Sequence, residues 1–321
     1  MKEKLNLLTQ IILNDENPSN LRAACFELYA LFCEIVGLKE DVEETQAHDG
    51  TILSQGRAIS PFQAALCVRE YKRTSQFLRG VLAAINELKN RFPHKKIEIL
   101  YAGIGPFATL ITPLLDRFSP DELDLTLLDY HDFSIGAAKK IFQVFELERF
   151  NPEFIRTDAC SYKHPRQVHL VISETMQNAL QNETQTAITL NLAPQICENG
   201  IFVPQKIFVE AVFVDLKKEF GEKERIYADR ILELDAEKIK QNPSLDFPKV
   251  YVKIPNKAKE RDLDLRLFTE IRIFDSFALK DYQSSISYPV KIRPYFDIKT
   301  TNSVEFSYII DEKPHFEHRV F

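Results

Sequence analysis

The chain has 321 residues, of which 45% are hydrophobic, and it carries a formal net charge of −6 at pH 7. This length exceeds one typical domain and the apolar content is enough for a sizeable core, so two domains are expected. The acidic net charge argues against a general nucleic-acid surface, because such a surface needs a basic field to displace counterions from phosphates.

The cysteines indicate neither a disulfide framework nor a metal site. Five of them are scattered along the chain without metal-type spacing, namely Cys25, Cys33, Cys67, Cys160 and Cys197. This usage is typical of reduced thiols in a cytoplasmic protein. The N-terminus lacks a signal-peptide pattern, and no run of about 18 apolar residues predicts a membrane span. We therefore expect a cytoplasmic protein with no metal and no membrane contact.

Residues 1–90 are predicted to form a helical segment. Apolar residues recur at helical spacing in LNLLTQIIL and in LRAACFELYALFCEIVGL, and the polar stretch KEDVEETQAHDGT follows. The next helix is predicted to start with Ser60 as N-cap, Pro61 at the first helical position and Gln63 as the capping-box partner. Its pattern extends to about Leu88.

Residues 91–204 alternate short apolar runs with amphipathic helices. The runs are IEILYA, LDLTLLD, PEFIRT and VHLVIS, and a helix is predicted after the first two, with a long one from the last run to about Cys197. This alternation predicts parallel βαβ units in a doubly wound α/β domain.

Residues 205–321 are predicted to form a β-rich, barrel-like domain. Their runs are rich in Val, Ile, Phe and Tyr and are separated by Pro, Asn, Asp and Lys, which favours mainly antiparallel strands. We expect this domain to bind substrate or to mediate dimerisation, so a homodimer is one expected assembly.

Polar and glycine residues stand at the ends of three successive predicted strands. Gly103 and Gly105 follow the first strand, at the sheet edge where α/β folds bind ligands, and glycines let the backbone approach a ligand closely. Asp129 ends the second strand and is placed to accept hydrogen bonds from ribose hydroxyls. Asp158 ends the third strand, where a carboxylate could accept from an adenine amino group. The structural alternative for each acid is a helix cap or a turn.

A carboxylate pair follows the fourth strand, where Glu174 and Glu183 stand nine residues apart. If the residues between them fold back as a loop, both carboxylates line one small pocket that suits a cationic nitrogen. The structural alternative is a helix cap for Glu174 and a solvated helix face for Glu183.

These residues resemble class I S-adenosyl-L-methionine-dependent methyltransferases, which have a Rossmann-like α/β fold, over roughly residues 60–205. The stretch from Ser173 to Glu183, with Met176 two positions after Glu174, is similar to the double-glutamate loop of protein arginine methyltransferases. The pieces LAP and GIFVP that follow also resemble that family, in which a β-barrel domain comes next.

The resemblance implies S-adenosyl-L-methionine as cofactor and assigns roles to residues. Glu174 and Glu183 would be catalytic, and Arg73 would form a bidentate pair with the methionyl carboxylate. The other implied cofactor-binding residues are Gly103, Gly105, Asp129, Tyr130, Asp158, Ala159 and Glu174.

The chain also departs from the family pattern. Tyr101 and Phe107 replace an acid and a small residue around the glycines, and Thr175 replaces the aromatic residue after the first glutamate. The chain has no tryptophan, so the family's Thr-His-Trp loop is not intact. The nearest echo of that loop contains His315, which is expected at the surface or the barrel rim. A nicotinamide dehydrogenase is disfavoured because its longer glycine motif needs glycine at Ala108.

Three functions remain open from the sequence. The first is an N-methyltransferase acting on a cationic nitrogen, which could be an arginine-like guanidine, a peptide or protein amine, or a small-molecule amine. The second is an inactive partner protein that keeps the methyltransferase fold as a scaffold. The third is an aminopropyl-type transferase on the same fold.

Overall fold

The computed structural model describes residues 1–38, 50–220, 224–243, 246–261 and 263–321. Most of the polar stretch KEDVEETQAHDGT therefore lies outside the described residues. Within the described part of the chain, no helix is long and apolar enough to cross a membrane.

The chain begins with two packed helices, α1 (Lys2–Asn14) and α2 (Pro18–Val36). The Asn17 side chain caps α2 by accepting a hydrogen bond from the Ser19 amide. Helix α2 ends at Gly37, whose left-handed conformation (φ 78°) suits glycine. The helical character predicted for this segment is confirmed.

A short hairpin that the sequence pattern did not reveal follows, formed by β1 (Thr51–Leu53) and β2 (Gly56–Ala58). Helix α3 (Pro61–Leu66) then starts at the predicted cap, with the Ser60 hydroxyl accepting from the Gln63 amide.

The prediction of a single helix from residue 60 to 88 is wrong, because the helix is interrupted between α3 and α4 (Tyr71–Arg91). A 3₁₀ turn covers Cys67–Arg69, and Glu70 leaves the helical conformation with ψ at 81°. The Glu70 carboxylate instead accepts hydrogen bonds from Ser284 and Ser285 in the C-terminal part of the chain. This long-range contact outweighs the local helical pattern.

A five-stranded, fully parallel sheet occupies the middle of the chain, in the order β5-β4-β3-β6-β7. Its strands are β3 (Ile97–Ala102), β4 (Leu123–Asp129), β5 (Glu153–Arg156), β6 (Val168–Ser173) and β7 (Ile196–Val203). Helix α4 packs on β3, β6 and β7, while α5 (Asp132–Val144) packs on β4 and β5. The predicted α/β fold with a parallel sheet is confirmed.

Two of the predicted crossover helices differ from the structure. The α-helix predicted after β3 is wrong: the chain forms turns and a 3₁₀ helix at Thr112–Arg117 there, because Gly103, Gly105 and Ala108 all have positive φ. The long helix predicted after β6 is shorter than expected: between β6 and β7 the α-helix is α6 (Gln185–Leu192), because residues 174–183 form an irregular loop before it. We call residues 174–183 the glutamate loop.

The C-terminal part is antiparallel, as predicted. One sheet has the order β12-β11-β8-β9 with β13 also paired to β11, and a second has the order β10-β14-β15. The strands are β8 (Lys206–Val214), β9 (Arg225–Asp235), β10 (Val250–Lys253), β11 (Asp264–Phe274), β12 (Phe277–Leu279), β13 (Val290–Lys291), β14 (Ser303–Ile309) and β15 (His315–Val320). Two short helices, α7 (Ala236–Gln241) and α8 (Asn256–Glu260), connect them. The division into domains at residues 90/91 and 204/205 stays a prediction.

Candidate active site

A cavity of about 1020 Å³, including its open mouth, lies at the carboxyl edge of the parallel sheet. Every site residue predicted from the sequence lines this cavity, namely Arg73, Gly103, Gly105, Asp129, Tyr130, Asp158, Ala159, Glu174 and Glu183. The fold thus brings together residues from α4, four strand ends and the glutamate loop.

Asp129 is held by backbone amides at the end of β4. Its Oδ2 accepts a hydrogen bond from the Gly105 amide at 2.9 Å, and its Oδ1 accepts from the His131 amide at 2.9 Å. Gly105 needs to be glycine because its φ of 59° is left-handed and an added Cβ would lie 3.2 Å from the Ala64 Cβ. A carboxylate has about four acceptor sites, so Asp129 can still accept hydrogen bonds from a ligand.

Asp158 occupies the equivalent position after β5. Its Oδ1 accepts from the Cys160 amide at 2.9 Å, as expected for a turn residue. The Thr157 amide donates to the Asp129 carbonyl at 3.0 Å and ties the two strand ends together. Both carboxylates therefore face the cavity from fixed backbone.

Arg73 joins the cavity to the C-terminal part of the chain. Its Nη2 lies 2.6 Å from both Oε1 and Oε2 of Glu174, and its Nη1 lies 3.2 Å from Oε1 of Glu70. Burial raises the pKa of Glu70, but Arg73 and the hydrogen bonds from Ser284 and Ser285 outweigh it and leave that pKa below its usual value. The guanidinium is therefore fixed between two carboxylates.

The two glutamates of the loop have different surroundings. Burial raises the pKa of Glu174, although its pair with Arg73 opposes the shift. Glu183 is only 6% exposed, and burial together with the nearby Glu174 raises its pKa to about 8. At neutral pH Glu183 is thus mostly protonated, while Glu174 has a cationic partner. Carboxyl pairs whose environments differ in this way are typical of acid–base sites.

The glutamate loop is closed at its base by Gln185. The Gln185 Oε1 accepts from the Thr175 amide at 3.0 Å, and the Gln185 amide donates to the Thr175 carbonyl at 3.1 Å. Thr175 also packs on the glycine turn, because a Cβ at Gly103 would lie 2.3 Å from the Thr175 Cγ2. The Thr175 side chain therefore occupies the space that a side chain at position 103 would need.

The C-terminal part fixes the far side of the glutamate loop, where Ala179, Leu180 and Asn182 have φ values of 53°, 52° and 64°. Such conformations are strained in residues other than glycine and persist only when the surroundings hold them. The holding contacts are Ala179 N to Thr269 Oγ1 (2.8 Å), Asn182 N to the Pro314 carbonyl (2.7 Å) and the Tyr308 hydroxyl to the Leu180 carbonyl (2.6 Å). Sequence reasoning missed these contacts because Thr269 on β11, Pro314 just before β15 and Tyr308 on β14 all lie far along the chain from the loop.

The structure also locates Phe107 and His315, two residues at which the sequence departs from the methyltransferase family pattern. Phe107 is buried and packs against Phe32 of α2 with ring centroids 5.2 Å apart, so it contributes to the core. His315 begins β15, and its Nδ1 lies 2.8 Å from the Lys313 carbonyl. His315 is not among the residues that line the cavity.

No model of a known protein family matches the chain, and no curated protein matches it. A similar solved structure is a chain of the Trypanosoma brucei PRMT1 enzyme-prozyme heterotetrameric complex with AdoHcy. The TM-score is 0.56 at 11% sequence identity, and the alignment covers 80% of this chain and 92% of that chain. At this identity the likeness shows the fold alone, which is an α/β domain followed by antiparallel β strands.

Proposed function

We propose that the protein is an S-adenosyl-L-methionine-dependent N-methyltransferase. The observation that carries this proposal is that Asp129, Asp158 and Arg73 line the same cavity as the carboxyl pair Glu174 and Glu183. The fold likeness to a PRMT1 complex with AdoHcy supports the same conclusion.

The residues of the cavity fit this cofactor. Asp129 has acceptor sites left for ribose hydroxyls, and one oxygen of Asp158 is left for an amino group after its bond to Cys160. Arg73 offers five N–H donors, more than its two carboxylate partners use, so it can also bind a carboxylate.

The carboxyl pair suits a nitrogen acceptor. A protonated amine gives a proton to the ionised form of Glu183, whose pKa of about 8 is close to the working pH of a general base. When bound, S-adenosyl-L-methionine would supply a methyl group on its sulfonium, which the freed nitrogen lone pair would take while the electron pair of the broken carbon–sulfur bond stays on sulfur. Glu174, held by Arg73, stabilises the positive charge that develops on the nitrogen.

The other two functions considered from the sequence, an aminopropyl-type transferase and an inactive partner protein, have less support. An aminopropyl transferase uses a decarboxylated cofactor, which has no carboxylate for Arg73 to bind. An inactive partner protein would be consistent with the altered glycine motif at Tyr101 and Phe107, but Phe107 packs against Phe32 of α2 and is part of the core.

Calorimetric titration with AdoHcy tests the cofactor half of the proposal. We expect saturable binding at one site per chain. The proposal fails if no saturable binding occurs up to millimolar AdoHcy. Transfer of a labelled methyl group to an amine or guanidine tests the other half.

A further inference from the structure

The hairpin formed by residues 51–58 closes one side of the carboxyl pair. The Arg57 amide donates a hydrogen bond to the Asn182 carbonyl at 2.7 Å, and Arg57 forms a parallel bridge with Glu183. A Cβ added to Gly56 would lie 2.8 Å from the Glu183 carbonyl carbon and 2.9 Å from the Thr184 nitrogen. The two backbones are therefore in direct contact, with no room for a peptide between them.

The C-terminal strands close the opposite side. Thr269 of β11, Tyr308 of β14 and Pro314, which precedes β15, hold the glutamate loop, and Ala179 and Leu180 of the loop are buried. Within the described parts of the chain, none of the residues that line the cavity comes from residues 205–321. A polypeptide lying along the C-terminal strands would therefore not reach the carboxyl pair.

The acceptor end is also the buried end of the cavity. Arg73 is 7% and Thr184 is 4% exposed, whereas Tyr130, His131 and Asp158 at the other end are half-buried. These exposures favour entry of the acceptor from the more open end, through the cavity in which the cofactor is proposed to bind.

Two apolar side chains, Phe77 and Ile188, belong to the helices that adjoin the carboxyl pair. Phe77 follows Arg73, the partner of Glu174, by one helical turn on α4, and Ile188 follows by one turn Thr184, the N-cap of α6 next to Glu183. Both line the cavity. They provide a surface for a short alkyl chain beyond the charged nitrogen.

The pairing of Glu174 favours an amine over a guanidine. Both oxygens of Glu174 already face one guanidinium, that of Arg73. A guanidinium binds a carboxylate best through two parallel N–H···O bonds to the front of its two oxygens, and the Arg73 Nη2 already occupies that position on Glu174. An ammonium is a compact point charge and needs only one acceptor oxygen, so it fits beside the existing pair.

We propose that the methyl acceptor is a small alkylamine that enters the cavity whole, and not a side chain or terminus of a polypeptide. This inference rests on the proposed N-methyltransferase function. It restricts the methyl acceptor to one chemical class, the small alkylamines.

The test uses the full chain and three kinds of probe. These are a panel of primary and secondary alkylamines with up to six carbon atoms, N-butylguanidine, and peptides with a free N-terminus and internal arginine and lysine. Amine binding is measured by calorimetry both without AdoHcy and in saturating AdoHcy, and turnover is measured with labelled S-adenosyl-L-methionine. We expect at least one alkylamine to bind and to react with a kcat/KM on the order of tenfold or more above that of any peptide.

Two results would overturn the proposal. One is methylation of a peptide or of N-butylguanidine with a kcat/KM equal to that of the best alkylamine. The other is absence of binding and turnover for every alkylamine while AdoHcy still binds. Failure of AdoHcy itself to bind is a distinct result and contradicts the proposed function instead.

Variants of Gly56 test independently whether the hairpin closes one side of the carboxyl pair. Gly56→Val places a side chain against the Glu183 backbone and should displace the hairpin, and Gly56→Ala is the milder version if the first does not fold. We expect a rise in the KM for the alkylamine on the order of tenfold, with a much smaller change in the Kd for AdoHcy. Gly136→Ala is the matched control, since nothing lies within 4 Å of a Cβ there. An unchanged amine KM in the folded Gly56 variants would contradict the proposed role of the hairpin.

Discussion

Arg73 and Glu174 are 101 residues apart in the sequence and form an ion pair in which a single nitrogen, the Arg73 Nη2, lies 2.6 Å from each carboxylate oxygen. The residue proposed to hold the cofactor carboxylate is thus in direct contact with one of the two carboxyls proposed to hold the acceptor. Cofactor and acceptor binding are expected to be coupled through this pair.

Arg73→Met is expected to weaken AdoHcy binding and to destabilise the fold, because it leaves Glu174 buried without a cation. Breaking a buried pair from one side costs about 3–5 kcal/mol. Urea unfolding and calorimetry measure the two effects, with Lys72→Met as a control on the same helix. The double variant Arg73→Met/Glu174→Gln should recover part of the lost stability, since neither charge then remains. A double variant less stable than Arg73→Met alone would contradict the pairing.

Asp129→Ala is expected to weaken AdoHcy binding by about 10- to 100-fold, as the loss of charge-assisted hydrogen bonds predicts. Asp132→Ala is the matched control, because Asp132 begins α5 three residues later and its side chain is 76% exposed. Calorimetry compares the two variants. Equal affinities would show that Asp129 does not contact the ribose.

Glu183 should give both activity and stability a pH dependence. If Glu183 is the base, kcat/KM for the acceptor rises with pH up to about 8, where the raised pKa of Glu183 lies, and Glu183→Gln removes this limb. If Glu183→Gln kept the same rise of kcat/KM with pH, the titrating group responsible for that rise would be another residue.

The stability effect has a definite sign. Because the pKa of Glu183 is higher in the folded than in the unfolded chain, the folded state binds more protons between the usual carboxyl range and about pH 8. The contribution of Glu183 to the free energy of unfolding is complete below its unfolded pKa and is lost as pH rises through about 8. The difference in Tm between Glu183→Gln and the wild type should therefore shift in favour of the variant as pH rises from 5 to about 8. A difference that is independent of pH would contradict the raised pKa.

Tyr308→Phe tests the hold of the C-terminal strands on the glutamate loop. The variant removes the hydroxyl that donates to the Leu180 carbonyl and lies 3.1 Å from the Thr186 hydroxyl. An unsatisfied buried carbonyl costs about 1–3 kcal/mol, so Tm should fall. The rate should also fall while the Kd for AdoHcy stays unchanged, because Tyr308 does not line the cavity. The control is Tyr251→Phe, since Tyr251 is an exposed residue of β10. Equal rates of methyl transfer for both variants would show that Tyr308 does not position the glutamate loop.

The features that the sequence predicted correctly depend on local patterns. The convergence of Gly103, Gly105, Asp129 and Asp158 on one cavity could be predicted because each follows a predicted strand and the sheet brings all strand ends to one edge, while their roles toward a cofactor stay a prediction. Ser60 was identified as a helix cap for the same reason, since its partner is three residues away.

The features that were missed depend on contacts between distant residues. The hairpin strands have three residues each, too few for a visible alternation of apolar and polar side chains. The break at Glu70 is stabilised by Ser284 and Ser285, and the glutamate loop is held by Tyr308, 128 residues from its partner Leu180. No pattern within a short window of sequence contains these interactions.

A crystal structure of the protein with AdoHcy tests the central claim most directly. The account predicts AdoHcy in the cavity, with its ribose hydroxyls on Asp129, its carboxylate on Arg73 and its sulfur facing the space between Glu174 and Glu183. AdoHcy bound outside this cavity, or with its sulfur directed away from both glutamates, would contradict the account.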